Sequence, residues 1–205
     1  MLTLHYAPGT VAIAVAIALD EAGLDYRTRR LDFAAAEQRG PDHLALNPKG
    51  RVPVLETDRG AITETSAILD YIAALAPDAA LVPEDAFVAA HMRSVMTYLA
   101  STMHVNHAHK MRGARWASLP ASFEDMAANV TRTMTESTAY IEAHAFMGPF
   151  VCGDRISLAD PYLHVVGRWV GGDGVDLAAF PRFAAFQAAM SARPSVRKAV
   201  ASGML

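Results

Sequence analysis

The chain of 205 residues carries 52% hydrophobic side chains and a net charge of −3, a size that suits one small domain joined to a moderate helical one. The slightly acidic balance and the lack of any dense basic run exclude a nucleic-acid surface, and a small partner is expected. One cysteine, Cys152, leaves neither a disulfide framework nor a dithiol pair, so a reducing compartment, the cytoplasm, is the expected location. From the start, Leu2-Thr3-Leu4-His5-Tyr6 reads as a strand. Val11 to Leu19 then alternates bulky residues with alanines, which scores as a strand by period. The segment runs on to Gly23, though, and its alanines and terminal glycine make it a buried helix of about twelve residues. That is far short of the ~20 residues of a membrane span. No Lys or Arg precedes it and Pro8-Gly9 interrupts it, so no targeting segment is expected.

A second strand falls between Asp25 and Asp32, and a short helix between Asp42 and Leu46. The turn Asn47-Pro48-Lys49-Gly50 leads through Arg51-Val52-Pro53 into a strand at Val54-Leu55. A proline cannot donate to a sheet ladder, so Pro53 belongs at the strand's first position, where it is a candidate for the cis isomer and leaves Val52 as a backbone edge for an extended chain. Asp58-Arg59-Gly60 is a hairpin turn, Ala61-Ile62 pairs back, and Thr63 to Ser66 opens a helix with Ile68, Leu69 and Ile72 on its core face. The free N–H groups and positive dipole end of that helix suit a carboxylate. Strands and helices in this order describe a small α/β sandwich of the thioredoxin type, ending near Ala76.

Pro77 to Pro83 reads as a linker, and everything from Glu84 on reads as helical. One long helix is expected over Ala86 to Met111, and another from the capping pattern Ser122-x-x-Asp125 to about Ala145. Gly153-Asp154-Arg155-Ile156-Ser157-Leu158-Ala159-Asp160 marks a buried helix start in which Ser157 caps and Asp160 returns a bond. Phe180-Pro181 starts a further helix, and Arg193-Pro194-Ser195 a last short one.

The run N-P-x-G-x-V-P followed by E-T-x-A-I resembles the glutathione-binding signature of the cytosolic glutathione transferases. The Gly153 to Asp160 box resembles a folding motif of the same family. A-P-G near the start, with G-R-W and A-R-P-S-V near the end, is most similar to the bacterial beta class. The resemblance implies a thioredoxin-like domain over residues 1–76, a linker over 77–85 and an all-α domain over 86–205 that carries an electrophile pocket. It also implies that Val52, between Arg51 and Pro53, pairs with the glutathione backbone, while Glu64 and Thr65 take its ammonium and carboxylate. Glutathione would be the co-substrate, with no metal, a small apolar electrophile the second substrate, and a homodimer the assembly.

Family chemistry is activation of a thiol that ionises freely only near pH 8.5, which requires hydrogen-bond donors at the sulfur. The place for them is the loop Tyr6-Ala7-Pro8-Gly9-Thr10-Val11. Beta-class members usually carry cysteine where this chain has Val11, so mixed-disulfide chemistry is not expected. Thr10 falls where serine-type members place an activating hydroxyl, and is either that donor or a helix cap. Tyr6 matches the activating tyrosine of other classes, or simply packs. In the second half, S-T-M-H matches the family's histidine at His104, while His107 is placed in the electrophile pocket. At about 100° per residue His104, His107 and Arg115 share a helix face that His109 leaves, against a three-histidine metal site. The expected activity is that of a glutathione transferase, with Thr10, Tyr6 and His104 as catalytic groups and room for peroxidase, isomerase or lyase side activity. A non-catalytic glutathione- or partner-binding module is the alternative.

Overall fold

A computed structural model describes residues 1–205, in two compact units: Met1–Pro83 together with Met190–Leu205, and Glu84–Ala189. In the first, β1 (Leu2–Tyr6), β2 (Tyr26–Arg30), β3 (Val54–Thr57) and β4 (Gly60–Thr63) form one sheet in the order β2-β1-β3-β4. β2 returns parallel to β1 because α1 (Ala12–Glu21) carries the chain back across the sheet. β3 runs antiparallel to β1 with Leu4 opposite Leu55, and β4 closes the hairpin with Val54 opposite Thr63. Ala12 to Leu19 are all buried, so the alternating pattern is that of a helix covered on every side. Its alanines let β1 and α3 (Thr65–Leu75) approach it closely. Ile68, Leu69 and Ile72 bury the core face of α3 as expected. On the edge strand β2, Arg27, Arg29 and Arg30 face solvent and discourage pairing with another sheet. The short α2 (Pro41–Leu46) precedes the turn into β3.

The last residues depart from the expected domain division: Met190 to Leu205, including α9 (Pro194–Ala201), belong to the first unit and not to the helical one. The cause is a set of polar and apolar contacts to α1. Arg193 forks onto the Glu21 carboxylate with both bonds at 2.6 Å, Ser195 donates to the same carboxylate, and Lys198 reaches Asp20 at 2.6 Å. Burial works to raise the Glu21 pKa, but the Arg193 and Ser195 hydrogen bonds and the Arg193 charge outweigh it and hold the carboxyl below its ordinary value. Val196, Ala199 and Met204 are buried, and the Met204 carbonyl accepts from the Gly9 N–H at 2.9 Å. The expected linker contains a 3-10 turn at Pro77–Ala79.

The second unit is helical. Asp85 caps α4 (Ala86–Tyr98) by accepting from the Val88 N–H at 2.9 Å. The single helix expected over Ala86 to Met111 is interrupted by a π-helical turn at Leu99–Met103, after which α5 (His104–Arg112) resumes. α6 (Pro120–His144) begins at Pro120, without the Ser122 capping pattern. Proline at the first helical position lacks the N–H that a cap would satisfy and already has a helical φ. α7 (Ala159–Gly167) is wholly buried and α8 (Pro181–Ser191) follows. Asp160 supports the start of α7: one carboxylate oxygen accepts from the Val151 N–H at 2.9 Å, the other from the Ser157 N–H and hydroxyl at 2.7 Å each. Cys152 is half-buried with its thiol pKa raised, chiefly by burial. No helix is long and apolar enough to cross a membrane.

Candidate active site

Asn47, almost wholly buried, organises the turn before β3. Its side-chain oxygen accepts from the Lys49 N–H at 3.2 Å and its amide donates to the Arg51 carbonyl at 2.7 Å. His43 donates from Nε2 to the same carbonyl at 3.0 Å, so the Arg51 peptide is held from two sides while its side chain stays exposed. Gly50 sits at φ +61°, where an added Cβ would lie 3.0 Å from the Gln38 carbonyl, so both backbone and space require glycine. The Val52–Pro53 peptide is cis, Pro53 is buried, and Val52 stands outside the ladder, which begins at Val54.

Across the hairpin, Glu64 precedes α3 with φ +72°, a left-handed value that a non-glycine residue adopts only at a cost of about 1–3 kcal/mol. The conformation turns its exposed carboxylate toward Lys49, whose ammonium donates to Glu64 and, at 2.8 Å, to the Thr63 hydroxyl. Thr65, the first residue of α3, is buried. Arg51, Val52, Pro53, Glu64 and Thr65 thus come from two segments brought alongside each other by the pairing of β3 with β4. Lys49 escaped the sequence reading, because a lysine in an exposed turn carries no local mark of its partner.

At the other helix start, α1 follows Val11, which is buried and has no side-chain donor. The Thr10 hydroxyl donates to the Ala7 carbonyl at 2.6 Å, so its proton is committed to the loop's own backbone. The N–H groups of Ile13 and Ala14 turn back to Thr10 and Val11, leaving those of Val11 and Ala12 ahead of the first helical bonds. Tyr6 ends β1 as a buried side chain whose carbonyl accepts from Leu31 at 2.8 Å. Nearby on the sheet, His5 is buried against Glu56 at 3.1 Å, and its pKa is lowered by burial, partly offset by that carboxylate.

His104 and His107 lie in the second unit and share one neighbour. Trp169 stacks on His107 with ring centroids 4.4 Å apart and an interplanar angle of 20°, and lies against His104 at 4.9 Å and 56°. His109 turns away to meet Trp116 edge-on at 4.6 Å, so the three imidazoles do not converge. Arg115 sits in a separate 3-10 turn at Gly113–Arg115, off the α5 face on which the sequence placed it. Met103 is buried, whereas Met111 and Trp116 are largely exposed. His107 donates from Nδ1 to Asp173 at 2.7 Å. Asp173 was absent from the sequence reading, as nothing in the local run G-G-D-G marks a buried acid.

Residues 1–74 match the family model described as the glutathione S-transferase N-terminal domain. The chain is 29% identical over 204 residues to the glutathione S-transferase GstA of Escherichia coli O157:H7, covering 98% of both chains. It is 30% identical over 203 residues to a maleylacetoacetate isomerase of Pseudomonas aeruginosa, covering 95% of this chain and 92% of that one. A crystal structure of a glutathione transferase homolog from Sulfitobacter with bound glutathione superposes with a TM-score of 0.98 at 56% identity, covering 100% of this chain and 99% of the other. With such likeness along its whole length, the chain belongs to the glutathione S-transferase family.

Proposed function

We propose that the protein is a glutathione transferase whose first unit binds glutathione and ionises its thiol, and whose second unit supplies the residues that meet a small apolar electrophile. The observation that carries this reading is the pair of segments Arg51-Val52-cis-Pro53 and Glu64-Thr65, one offering an unladdered backbone edge and the other a carboxylate at a helix start. Val52 pairs with the cysteinyl backbone, Glu64 takes the ammonium, and Thr65 with the first N–H groups of α3 takes the carboxylate. At the sulfur, the Val11 and Ala12 N–H groups stabilise the thiolate, while Thr10 holds the loop that presents them. Tyr6 packs as a buried side chain at the end of β1 and His104 is an accessory polar group. The assembly is a homodimer in the cytoplasm, and glutathione is a co-substrate that needs no metal.

Glu64→Ala and Thr65→Ala each remove a hydrogen bond to a charged group, worth about 1.5–3 kcal/mol. Calorimetry should therefore show glutathione binding at least tenfold weaker in each variant. Unchanged affinity in both would place the pocket elsewhere. Sedimentation at micromolar concentration should return twice the chain mass. The second reading, a binding module without chemistry, is favoured by Val11 in place of cysteine and by the committed Thr10 hydroxyl. Retention on immobilised glutathione without turnover of any thiol acceptor would select it.

A further inference from the structure

In a trans peptide the carbonyl and the following N–H point in opposite directions, so holding one aims the other. Only Val52–Pro53 is cis, which leaves the Arg51–Val52 peptide trans. The Arg51 carbonyl is turned toward buried donors, Asn47 at 2.7 Å and His43 of α2 at 3.0 Å. A carbonyl oxygen has two lone pairs, and here both are taken. The Val52 N–H therefore faces the other way, off the β3 ladder, which begins at Val54. A single donor would let the peptide swing about one hydrogen bond, whereas two fix its plane. The donors are themselves tied, because the Asn47 N–H bonds to the His43 carbonyl at 2.8 Å. Packing alone does not call for a histidine at this place. His43 is 4% exposed, and its ring lies 5.9 Å from that of His5 at 44°. With the proton on Nε2, Nδ1 keeps a lone pair that is enclosed and has no partner. Burying such an atom costs free energy that a phenylalanine of similar size would avoid. What the histidine adds is the Nε2 donor.

We propose that His43 is a positioning residue for glutathione, holding the Arg51–Val52 peptide so that the Val52 N–H meets the cysteinyl carbonyl of the tripeptide. The proposal rests on the glutathione transferase reading above, in which Val52 pairs with that part of the ligand. Every residue it uses lies in the first unit. An N–H aimed in advance serves a ligand with a peptide carbonyl beside its thiol-bearing carbon and does nothing for a simple thiol. His43 therefore favours peptide thiols over small ones. Its effect falls on binding and not on ionisation, because the N–H groups at the sulfur belong to the separate loop between β1 and α1.

The test measures glutathione affinity by calorimetry in wild type, His43→Phe, His43→Gln and His5→Phe. Phenylalanine keeps a ring and removes the donor, and a neutral hydrogen bond corresponds to a change of about three- to tenfold. Glutathione should bind more weakly by that factor in His43→Phe, with its KM raised alike and kcat within about twofold of wild type. Glutamine can donate from its amide to the same carbonyl and should bring affinity back to within about twofold. His5→Phe disturbs the packing around His43 but leaves its donor, and should stay inside the same limit. Should His43→Phe not fold, His43→Leu carries the same expectation. The direct readout is the Val52 amide signal in an NMR spectrum, which glutathione should shift in wild type and His43→Gln, and much less in His43→Phe. A purely structural role would alter stability and leave that response intact. Unchanged affinity in His43→Phe, an equal loss in His43→Gln or His5→Phe, or a Val52 response that survives loss of the donor would overturn the positioning role and leave the glutathione reading standing. Absence of glutathione binding in the wild type would overturn that reading as well, and the same calorimetry distinguishes the two failures.

Discussion

Two buried aspartates in the second unit show how one side chain can be placed for opposite ends. Asp160 is sealed among backbone and hydroxyl donors: the Val151 N–H, the Ser157 N–H and the Ser157 hydroxyl. Asp173 is sealed as thoroughly, but its partners are side chains, His107 and Lys110, that extend from another helix toward solvent. A carboxylate satisfied by peptide N–H groups fixes a chain segment and can pass nothing on. One satisfied by an imidazole hands its influence to the far nitrogen of that ring. The partners, more than the burial, separate an acid that fixes backbone from one that fixes a ring.

Substitution at the two sites should come apart accordingly. Asp160→Asn puts a donor where three donors already converge, and breaking a buried charged network of this kind costs about 3–5 kcal/mol. Urea unfolding should show that loss, with specific activity preserved in the fraction that folds, and a loss below about 1 kcal/mol would refute the structural role. His164, fully enclosed, extends the comparison to a group with no charged partner. Its pKa is lowered to about 4, burial first, with Arg168 adding and the Gln187 hydrogen bond opposing. The folded form therefore stays neutral while the unfolded chain binds a proton below about pH 6.5. Stability should be full above that pH and fall by about 3 kcal/mol toward pH 4, a slope that His164→Leu should remove in denaturation curves taken across the range. Asp173→Asn should cost less, about 1–2 kcal/mol, because its partners are partly in water and both can be solvated when released. The loss in melting temperature should accordingly be smaller than for Asp160→Asn. Smallest of all is Thr10→Val. Its hydroxyl serves the Ala7 carbonyl, a backbone partner like those of Asp160, so the pKa of bound glutathione should move by less than about 0.5 units. A rise of a full unit in thiolate titration would make that hydroxyl the sulfur's donor.

Legibility follows the range of the interactions. The cis proline, the start of α3 and the box around Asp160 were readable because each is settled within a few residues, by proline's missing N–H, by orphan helix donors and by a capping pattern. The same holds for α1, whose length and alanines outweighed a strand-like period. What escaped lies far apart in the chain. Arg193 meets Glu21 across 172 positions, which moved α9 out of the helical domain, and His107 meets Asp173 across 66. Lys49 and Glu64 face each other only once β3 and β4 have paired. Thr10 was ambiguous for a different reason: a threonine before a helix can point its hydroxyl at a ligand or at its own loop, and the choice is made by the path of the folded loop.

The π-helical turn at Leu99–Met103 sets the frame in which α5 is read. A π turn takes up one residue more than an α turn, so it absorbs an extra position without rotating the helix beyond it. In the present frame Trp169 meets His104 and His107. Were the same residues wound as an unbroken α-helix, at about 100° each, the positions brought to that place would be Met103 and Asn106. A thioether and an amide would then replace two imidazoles, with no substitution anywhere in α5. The chemical character of this helix is thus encoded one turn upstream of the residues that express it.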